Sequence, residues 1–255
     1  LMSPESLTVL NGCNVSYKLG EILKEPGSVR VGSVLESGKS IRTLYNFRQS
    51  STTQKMLATV DDATSDDTQL LFSTGAGWTE ITAAETAWAN FATMNVEMET
   101  FIGYCFFVGH GTTDGFLPVA SLTGTTFSTA TNVGGMAQGK YIVRYRDRLY
   151  VLNSRLGGVD YPYRSYFSPI PVAGALGTWN TSTTDFFDVD YGEALMGGAA
   201  MWDKLVLFTE YAMWFYDQVQ LKKVYSIGCS NHKTIKEISA YLIWANADGV
   251  WLSSG

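Results

Sequence analysis

The sequence predicts an all-β, β-propeller-like fold, and three observations carry this prediction. A unit of paired strands separated by glycine-rich turns recurs about five times along the 255 residues. Hydrophobic residues make up 45% and aromatic residues 13% of the chain, enough for one sizeable core. The strand-like segments are rich in β-branched and aromatic residues, which favour pleated sheets. We therefore expect about five four-stranded blades arranged around an axis.

The repeat is clearest between residues 141 and 217. A polar turn at 145–148 precedes the apolar strand Leu-Tyr-Val-Leu at 149–152, and a loop with two glycines and a proline leads to a second strand at 164–168. A turn at 177–180 (Gly-Thr-Trp-Asn) follows, after which the pattern begins again with Leu-Val-Leu-Phe at 205–208 and Met-Trp-Phe-Tyr at 213–216. The interval fits the length of a propeller blade better than that of a helical repeat.

Weaker copies of the same unit place the blade starts. The first apolar strands begin near residues 56, 104, 149, 205 and 241, and the blades are predicted to start near 41, 100, 141, 197 and 236. Residues 1–40, broken by Gly and Pro, are predicted to form an extended N-terminal arm or a ring-closing segment, with the blades in 41–255. Because the fifth copy stops after its second strand, we expect an incomplete ring in this fragment.

Residues 81–92 are the one segment with helical character. Ala84, Ala87, Trp88 and Phe91 are spaced at i, i+3, i+4 and i+7, which predicts a single short helix. The alternative is a loop that links two blades. The aromatic residues of the second strands, Phe72, Phe167, Trp214 and Trp251, are predicted to pack between blades rather than to bind a ligand.

Charge and cysteine content exclude several classes of protein. The net charge of −6 argues against tight, sequence-independent binding of nucleic acid, which needs a dense Lys/Arg surface. Cys13, Cys105 and Cys229 are far apart and have no metal-ligand spacing, so they are interpreted as small apolar residues in a protein from a reducing compartment. The sequence has neither an apolar run long enough for a membrane span nor an N-terminal signal peptide pattern, so no membrane partner is expected.

Residues that carry catalytic chemistry are scarce. His110 and His232 are the only histidines, and both lie in turn-like sequence without a nucleophile motif beside them, so they are interpreted as loop residues. Nucleophile-elbow, zinc-protease and phosphate-binding loop patterns are absent. The turns at 73–79 and 177–179 lack the aspartate of a sialidase Asp-box. The prediction is a protein that is not an enzyme and that needs no cofactor or metal.

Two acidic groups are the sharpest polar features. The first is a hairpin tip with Asp61, Asp62, Asp66 and Asp67, read as a solvated tip or as a site for a hard cation. In the second, alternation predicts that Asp188 and Asp190 share one strand face, close to Asp185. Those carboxylates could flank a cation or a sugar, or they could face solvent or a neighbouring subunit. These seven aspartates are the candidate acidic residues of a lumen.

The succession of Asp-Arg-Leu-Tyr-Val at 147–151, Tyr-Phe-Ser at 166–168, Gly-Thr-Trp at 177–179 and Phe-Phe-Asp-Val at 186–189 resembles the β-propeller proteins of tailed-bacteriophage tails and necks. Residues 17–27 also resemble the segment before the first blade of those proteins, although Glu25 stands where an arginine is frequent. The resemblance covers most of residues 15–255. Its aromatic-rich motifs specify the architecture better than the tail component.

The resemblance implies a structural virion protein of the tail nozzle or collar type. Such a protein would be assembled in the bacterial cytoplasm and would act in the virion tail as a homo-oligomeric ring, six-fold or twelve-fold, in contact with other tail or portal-adaptor proteins. DNA would pass through the ring without specific binding, helped by an acidic lumen. The alternative is a receptor- or glycan-binding propeller at the tail tip, with residues 161–163 and Trp179 as exposed aromatic platforms.

Overall fold

The computed structural model of this chain describes residues 41–62, 67–73, 77–111, 115–181 and 184–254, and the backbone of two short strands nearer the N terminus. These strands, β1 (Cys13–Val15) and β2 (Ile22–Lys24), pair antiparallel. Most of the predicted N-terminal arm, residues 1–40, lies outside the described residues. Its interpretation as an arm or a ring-closing segment therefore stays a prediction.

Five antiparallel sheets follow, and in each of them strands that are neighbours in the sheet are consecutive in sequence. Sheet one contains β3 (Ile41–Arg48), β4 (Gln54–Asp62), β5 (Asp67–Ser73) and β6 (Trp78–Glu80), and helix α1 (Thr82–Ala87) follows it. Sheet two contains β7 (Asn95–Phe101), β8 (Tyr104–His110), β9 (Ala120–Thr123) and β10 (Thr126–Ser128). Sheet three contains β11 (Gln138–Tyr145), β12 (Arg148–Leu156), β13 (Val159–Phe167) and β14 (Phe186–Asp188).

Sheet four contains β15 (Leu195–Met201), β16 (Lys204–Thr209), β17 (Met213–Tyr216) and β18 (Leu221–Tyr225). A short 3-10 turn (His232–Thr234) leads to sheet five, with β19 (Lys236–Ile238), β20 (Tyr241–Asn246) and β21 (Gly249–Ser253). The predicted all-β, propeller-like fold is confirmed, and the single described α-helix lies inside the segment predicted for it.

The core consists of four clusters, each between two consecutive sheets. The second strands supply both sides: Leu149 and Val151 of β12 pack toward sheet two, whereas Tyr150 and Leu152 pack toward sheet four. In β16 the residues likewise alternate between two clusters. A strand that is buried on both faces reads as a continuous apolar run rather than as an alternating one. The runs near 104, 149 and 205 are apolar throughout for this reason.

The prediction that the apolar runs near residues 56, 104, 149, 205 and 241 are the first strands of their blades is wrong. They belong to β4, β8, β12, β16 and β20, the second strand of each sheet, and each sheet begins one strand earlier. The first strands contain charged residues and glycines, for example Glu97 and Glu99 in β7 and Gly197 and Gly198 in β15. Their mixed composition hides them from a search for apolar runs.

The large aromatic residues predicted to pack between blades lie at the edges of the clusters. Phe72, Phe167, Trp214 and Trp251 are half-buried and contact a cluster from its periphery. The fully buried indole is that of Trp88, which follows α1, meets Phe107 edge-on at 5.5 Å between ring centroids and donates from Nε1 to the Pro118 carbonyl at 3.2 Å. Aromatic packing between sheets is therefore not confined to the repeated strands, since Trp88 lies outside them.

We expect Leu207→Ala to lower the free energy of unfolding by about 2–5 kcal/mol, because the side chain is fully buried between sheets three and four and its removal leaves a cavity. Denaturant unfolding measures the loss. Val219→Ala is the control: this side chain is 86% exposed, and its truncation should change stability by less than about 0.5 kcal/mol. Equal losses in the two variants would contradict the assignment of the core.

Candidate functional site

The first strands of the five sheets lie side by side around an axis. Contacts join β3 to β7, β7 to β11, β11 to β15 and β15 to β19. Two adjoining cavities of about 270 Å³ and about 390 Å³ lie between these strands and the 3-10 turn. Both cavities are lined by Glu97, Met98, His232, Ile235 and Lys236. This axial cavity is the candidate site.

The alternation of β7 places acidic side chains in the axial cavity. Val96 and Met98 are buried in the cluster between sheets one and two. Because successive strand residues point to opposite faces, Glu97 and Glu99 project to the other side, and both line the smaller axial cavity of about 270 Å³. The predicted site residues did not include them, although the run Asn-Val-Glu-Met-Glu at 95–99 contained the signal.

Glu97 is the most strongly perturbed acid in the cavity. Burial raises its pKa to about 7, against the opposing effect of Lys233 and Lys236. Its Oε2 lies 3.8 Å from Nε2 of His232. Burial, Lys236 and Lys233 lower the pKa of His232 to about 4, so the imidazole is neutral at physiological pH. The contact is therefore not an ion pair at neutral pH.

His232 owes its position to a glycine on the neighbouring sheet. Gly197 of β15 has φ +148°, and a Cβ built there would lie 2.4 Å from Nδ1 of His232. A side chain at this position would strain the backbone and displace the ring at once. The interpretation of both histidines as loop residues is wrong for His110, which is the last residue of β8, and His232 begins the 3-10 turn beside the axis.

The second acid of the axis is held by neighbouring strands. Oε1 of Glu99 accepts a hydrogen bond from the backbone N–H of Thr100 at 3.0 Å, and burial raises its pKa. The hydroxyl of Tyr45 accepts from the same N–H at 2.8 Å and contacts Oγ1 of Thr100 at 2.9 Å. Burial, with Glu99 nearby, raises the Tyr45 pKa to about 12. This network joins β3 to β7 at the axis.

The predicted acidic residues of the hairpin tip have different surroundings. Asp61 is paired with Arg42 of β3. Asp67 is buried, and its Oδ1 accepts from the backbone N–H of Asn90 at 2.6 Å, which ties sheet one to the segment after α1. The side chain of Asp62 and the whole of Asp66 lie outside the described residues. The two described acids make structural contacts.

The acids after β13 do not share a strand face as predicted. β14 ends at Asp188, so alternation does not continue to Asp190, which is exposed. Asp188 forms a bidentate pair with Arg164, with Nε–Oδ1 and Nη2–Oδ2 distances of 2.6 Å and 2.8 Å. Asp185 accepts from the backbone N–H of Asn180 at 3.2 Å. β14 is the outermost strand of sheet three, so these acids lie away from the propeller axis, and their place in a lumen between copies stays a prediction.

The remaining chemistry of the described chain is limited. Cys105 and Cys229 are buried free thiols, and their interpretation as apolar residues agrees with that burial. Within the described ranges, no three His, Cys, Asp or Glu side chains are grouped as metal ligands. None of the helices in the described part of the chain is long and apolar enough to cross a membrane.

Comparison with known proteins gives little further information. No protein-family model matches the sequence, and no curated protein is similar to it. A solved structure described as "Structure of YjhT" is similar in fold, with 12% sequence identity and a TM-score of 0.45. The alignment covers 91% of this chain and 86% of that one. A likeness this weak carries no argument about activity.

We expect Glu97→Gln to stabilise the protein at pH 8 and to change nothing at pH 4. The raised pKa means that the folded state binds its proton more tightly than the unfolded state, so the contribution of Glu97 is fully present below about pH 4.5 and is lost as pH rises through about 7. At about 1.4 kcal/mol per pKa unit, the rise from the ordinary value of 4.5 to about 7 makes the gain at pH 8 roughly 3 kcal/mol.

Denaturant unfolding at the two pH values measures this difference. Asp248→Asn makes the same change from carboxylate to amide at an exposed position, and it should leave stability unchanged at both pH values. A Glu97→Gln variant that is less stable than the parent at pH 8 would show that the carboxylate is favourably paired, contrary to the desolvation that we infer.

Proposed function

We propose that this chain is a structural subunit of a bacteriophage virion, a tail nozzle or neck component that assembles into a ring around the DNA channel. The residues that resemble phage tail propellers motivate the virion assignment. One feature of the fold supports the ring: the first and the last sheet each have an apolar face that no other described sheet covers.

Exposed apolar side chains are concentrated on these two faces. Seven of the fourteen exposed large hydrophobic residues among the described positions lie there. On the side of sheet one that points away from sheet two they are Ile41, Leu44 and Met56. On the side of sheet five that points away from sheet four they are Ile238, Tyr241, Val250 and Leu252. Exposed apolar side chains grouped on one face of a sheet indicate an interaction site.

A second copy of this chain could cover both apolar faces. Within one chain, consecutive sheets bury apolar faces against each other four times. In our proposal, sheet five of one copy repeats this packing against sheet one of the next. Such an interface joins two different surfaces and is therefore heterologous, and a heterologous interface that closes on itself produces a cyclic ring.

The DNA path in this proposal lies between copies, not through one propeller. The axial cavities within a chain measure only about 270 Å³ and about 390 Å³, far too little for a duplex whose major groove alone is about 12 Å wide. The net charge of −6 suits a channel wall past which a polyanion moves without being held. Contacts with other tail or portal-adaptor proteins would position the ring in the virion.

The alternative, a receptor- or glycan-binding module at the tail tip, needs exposed aromatic platforms. Trp179 is only 2% exposed, and its Nε1 donates to the Asn132 carbonyl at 3.3 Å, so the predicted exposure of this indole is wrong. Tyr163 is half-buried and its ring packs at 4.6 Å from that of Tyr191. We favour the structural role because the best candidate for a sugar-stacking surface lies inside the core.

The double variant Val250→Lys/Leu252→Lys tests the ring. Both side chains are exposed on one face of β21, so the substitutions should leave the fold intact while placing two charges in the proposed interface. We expect the parent to be a closed oligomer by light scattering and the variant to be a monomer with an unchanged circular dichroism spectrum. Val219→Lys, at an equally exposed apolar position in the turn before β18, should remain oligomeric.

A parent that is monomeric at high concentration, or a double variant that keeps the parent's mass, would refute the ring. Electron microscopy of the virion tests the virion assignment separately. We expect density for this chain as a six-fold or twelve-fold ring on the tail axis. A single copy at the end of a fibre would instead support the receptor-binding alternative.

A further inference from the structure

A third cavity, of about 130 Å³, adjoins the axial cavity beside the first residue of β7. Three rings line it in a row: the His110 and Tyr141 centroids are 5.9 Å apart, and those of Tyr141 and His232 are 4.8 Å apart. Asn95, Glu97 and Lys233 also line this cavity. We call this the His–Tyr–His cleft. It joins sheets two and three to the turn before sheet five.

The two imidazoles of the cleft are arranged as hydrogen-bond donors. Nδ1 of His110 and Nδ1 of His232 are buried and have no hydrogen-bond partner among the described residues. A buried N–H without an acceptor is costly, so each neutral ring places its proton on Nε2. Burial and the nearby lysines Lys140 and Lys233 lower the pKa of His110 to about 4, and His232 is neutral for the same physical reason.

Positive charge predominates around the cleft. Lys140 and Lys233 act on His110, and Lys236 and Lys233 act on His232. Nζ of Lys233 lies 3.3 Å from Oδ1 of Asn95 and makes no ion pair with a described carboxylate. Glu97 is the acid that faces the cleft, and burial keeps much of it protonated near neutral pH. The surroundings of the cleft therefore disfavour a cation.

We propose that the His–Tyr–His cleft binds a small tetrahedral oxyanion of the phosphate or sulfate class. Its donors come from several sides: the ammonium of Lys233 and the imidazole of His232 from the turn, the imidazole of His110 from β8 and the hydroxyl of Tyr141 from β11. One charged and three neutral donors thus face the cleft, and hydrogen bonds to an ionised acceptor are stronger than those between neutral groups. The volume admits one such ion and excludes a nucleotide.

The bound ion would fasten the turn before sheet five to sheets two and three. Its negative charge would be repelled by ionised Glu97, so binding is coupled to protonation of that carboxyl group. The two histidines stay neutral between pH 6 and 8. Affinity should therefore fall as pH rises over this range, with Glu97 as the titrating group. This inference is independent of the proposed ring.

Calorimetric titration with sodium sulfate at constant ionic strength tests the site. Sulfate is the probe because it does not itself titrate between pH 6 and 8, so any pH dependence belongs to the protein. We expect saturable binding at one site, at least tenfold weaker in Lys233→Met. Lys222→Met, which removes an exposed lysine from the outer strand of sheet four, should bind as the parent does.

A second arm uses Glu97→Gln. This variant should bind sulfate equally at pH 6 and pH 8, whereas the parent should bind several-fold more weakly at pH 8. The melting temperature of the parent should rise with sulfate and that of Lys233→Met should not. Absence of saturable binding, or equal weakening in Lys233→Met and Lys222→Met, would overturn the proposal. A pH dependence that survives in Glu97→Gln would overturn the coupling.

Discussion

The structure depends on one constraint, which is that a single strand must serve two cores. In β12, Val151 packs toward sheet two while the adjacent Leu152 packs toward sheet four. In β16, Leu207 and Phe208 divide in the same way between sheets three and five. Sheets two, three and four are therefore each packed between two others. The chain forms a succession of sheets because no sheet in it can bury both faces alone.

The ends of the described succession follow from that same constraint. Sheets one and five each have one face against which no described sheet packs, and apolar residues there, such as Leu44 and Val250, are exposed. At the axis the first strands converge around a narrow cavity, where burial raises the pKa of Glu97 in spite of the nearby Lys233 and Lys236. Both the apolar surface at the two ends and the buried acid at the axis therefore follow from the packing of the sheets side by side. The proposed ring and the proposed oxyanion site use these two kinds of surface.

The fold could be predicted because its strongest signals are local. Continuous apolar runs such as residues 149–152 indicate strands that are buried on both faces, and the turns between them are rich in glycine and polar residues. The candidate site could not be predicted in the same way. His110 and His232 are 122 positions apart in sequence, and nothing in their flanking residues indicates that Tyr141 lies between their rings. Such a juxtaposition results from the order in which the sheets pack.

The sequence by itself determined the all-β class, the recurrence of the strands and the short helix, since strand propensity, two-sided burial and turn chemistry are all properties of neighbouring residues. Only the tertiary structure decided what each polar residue does. Asp188 was predicted beside Asp190 and is instead paired with Arg164 across two strands. Glu97 lies at the axis because five first strands converge there. Desolvation and pairing depend on distant segments, and the position of a residue in the sequence does not record them.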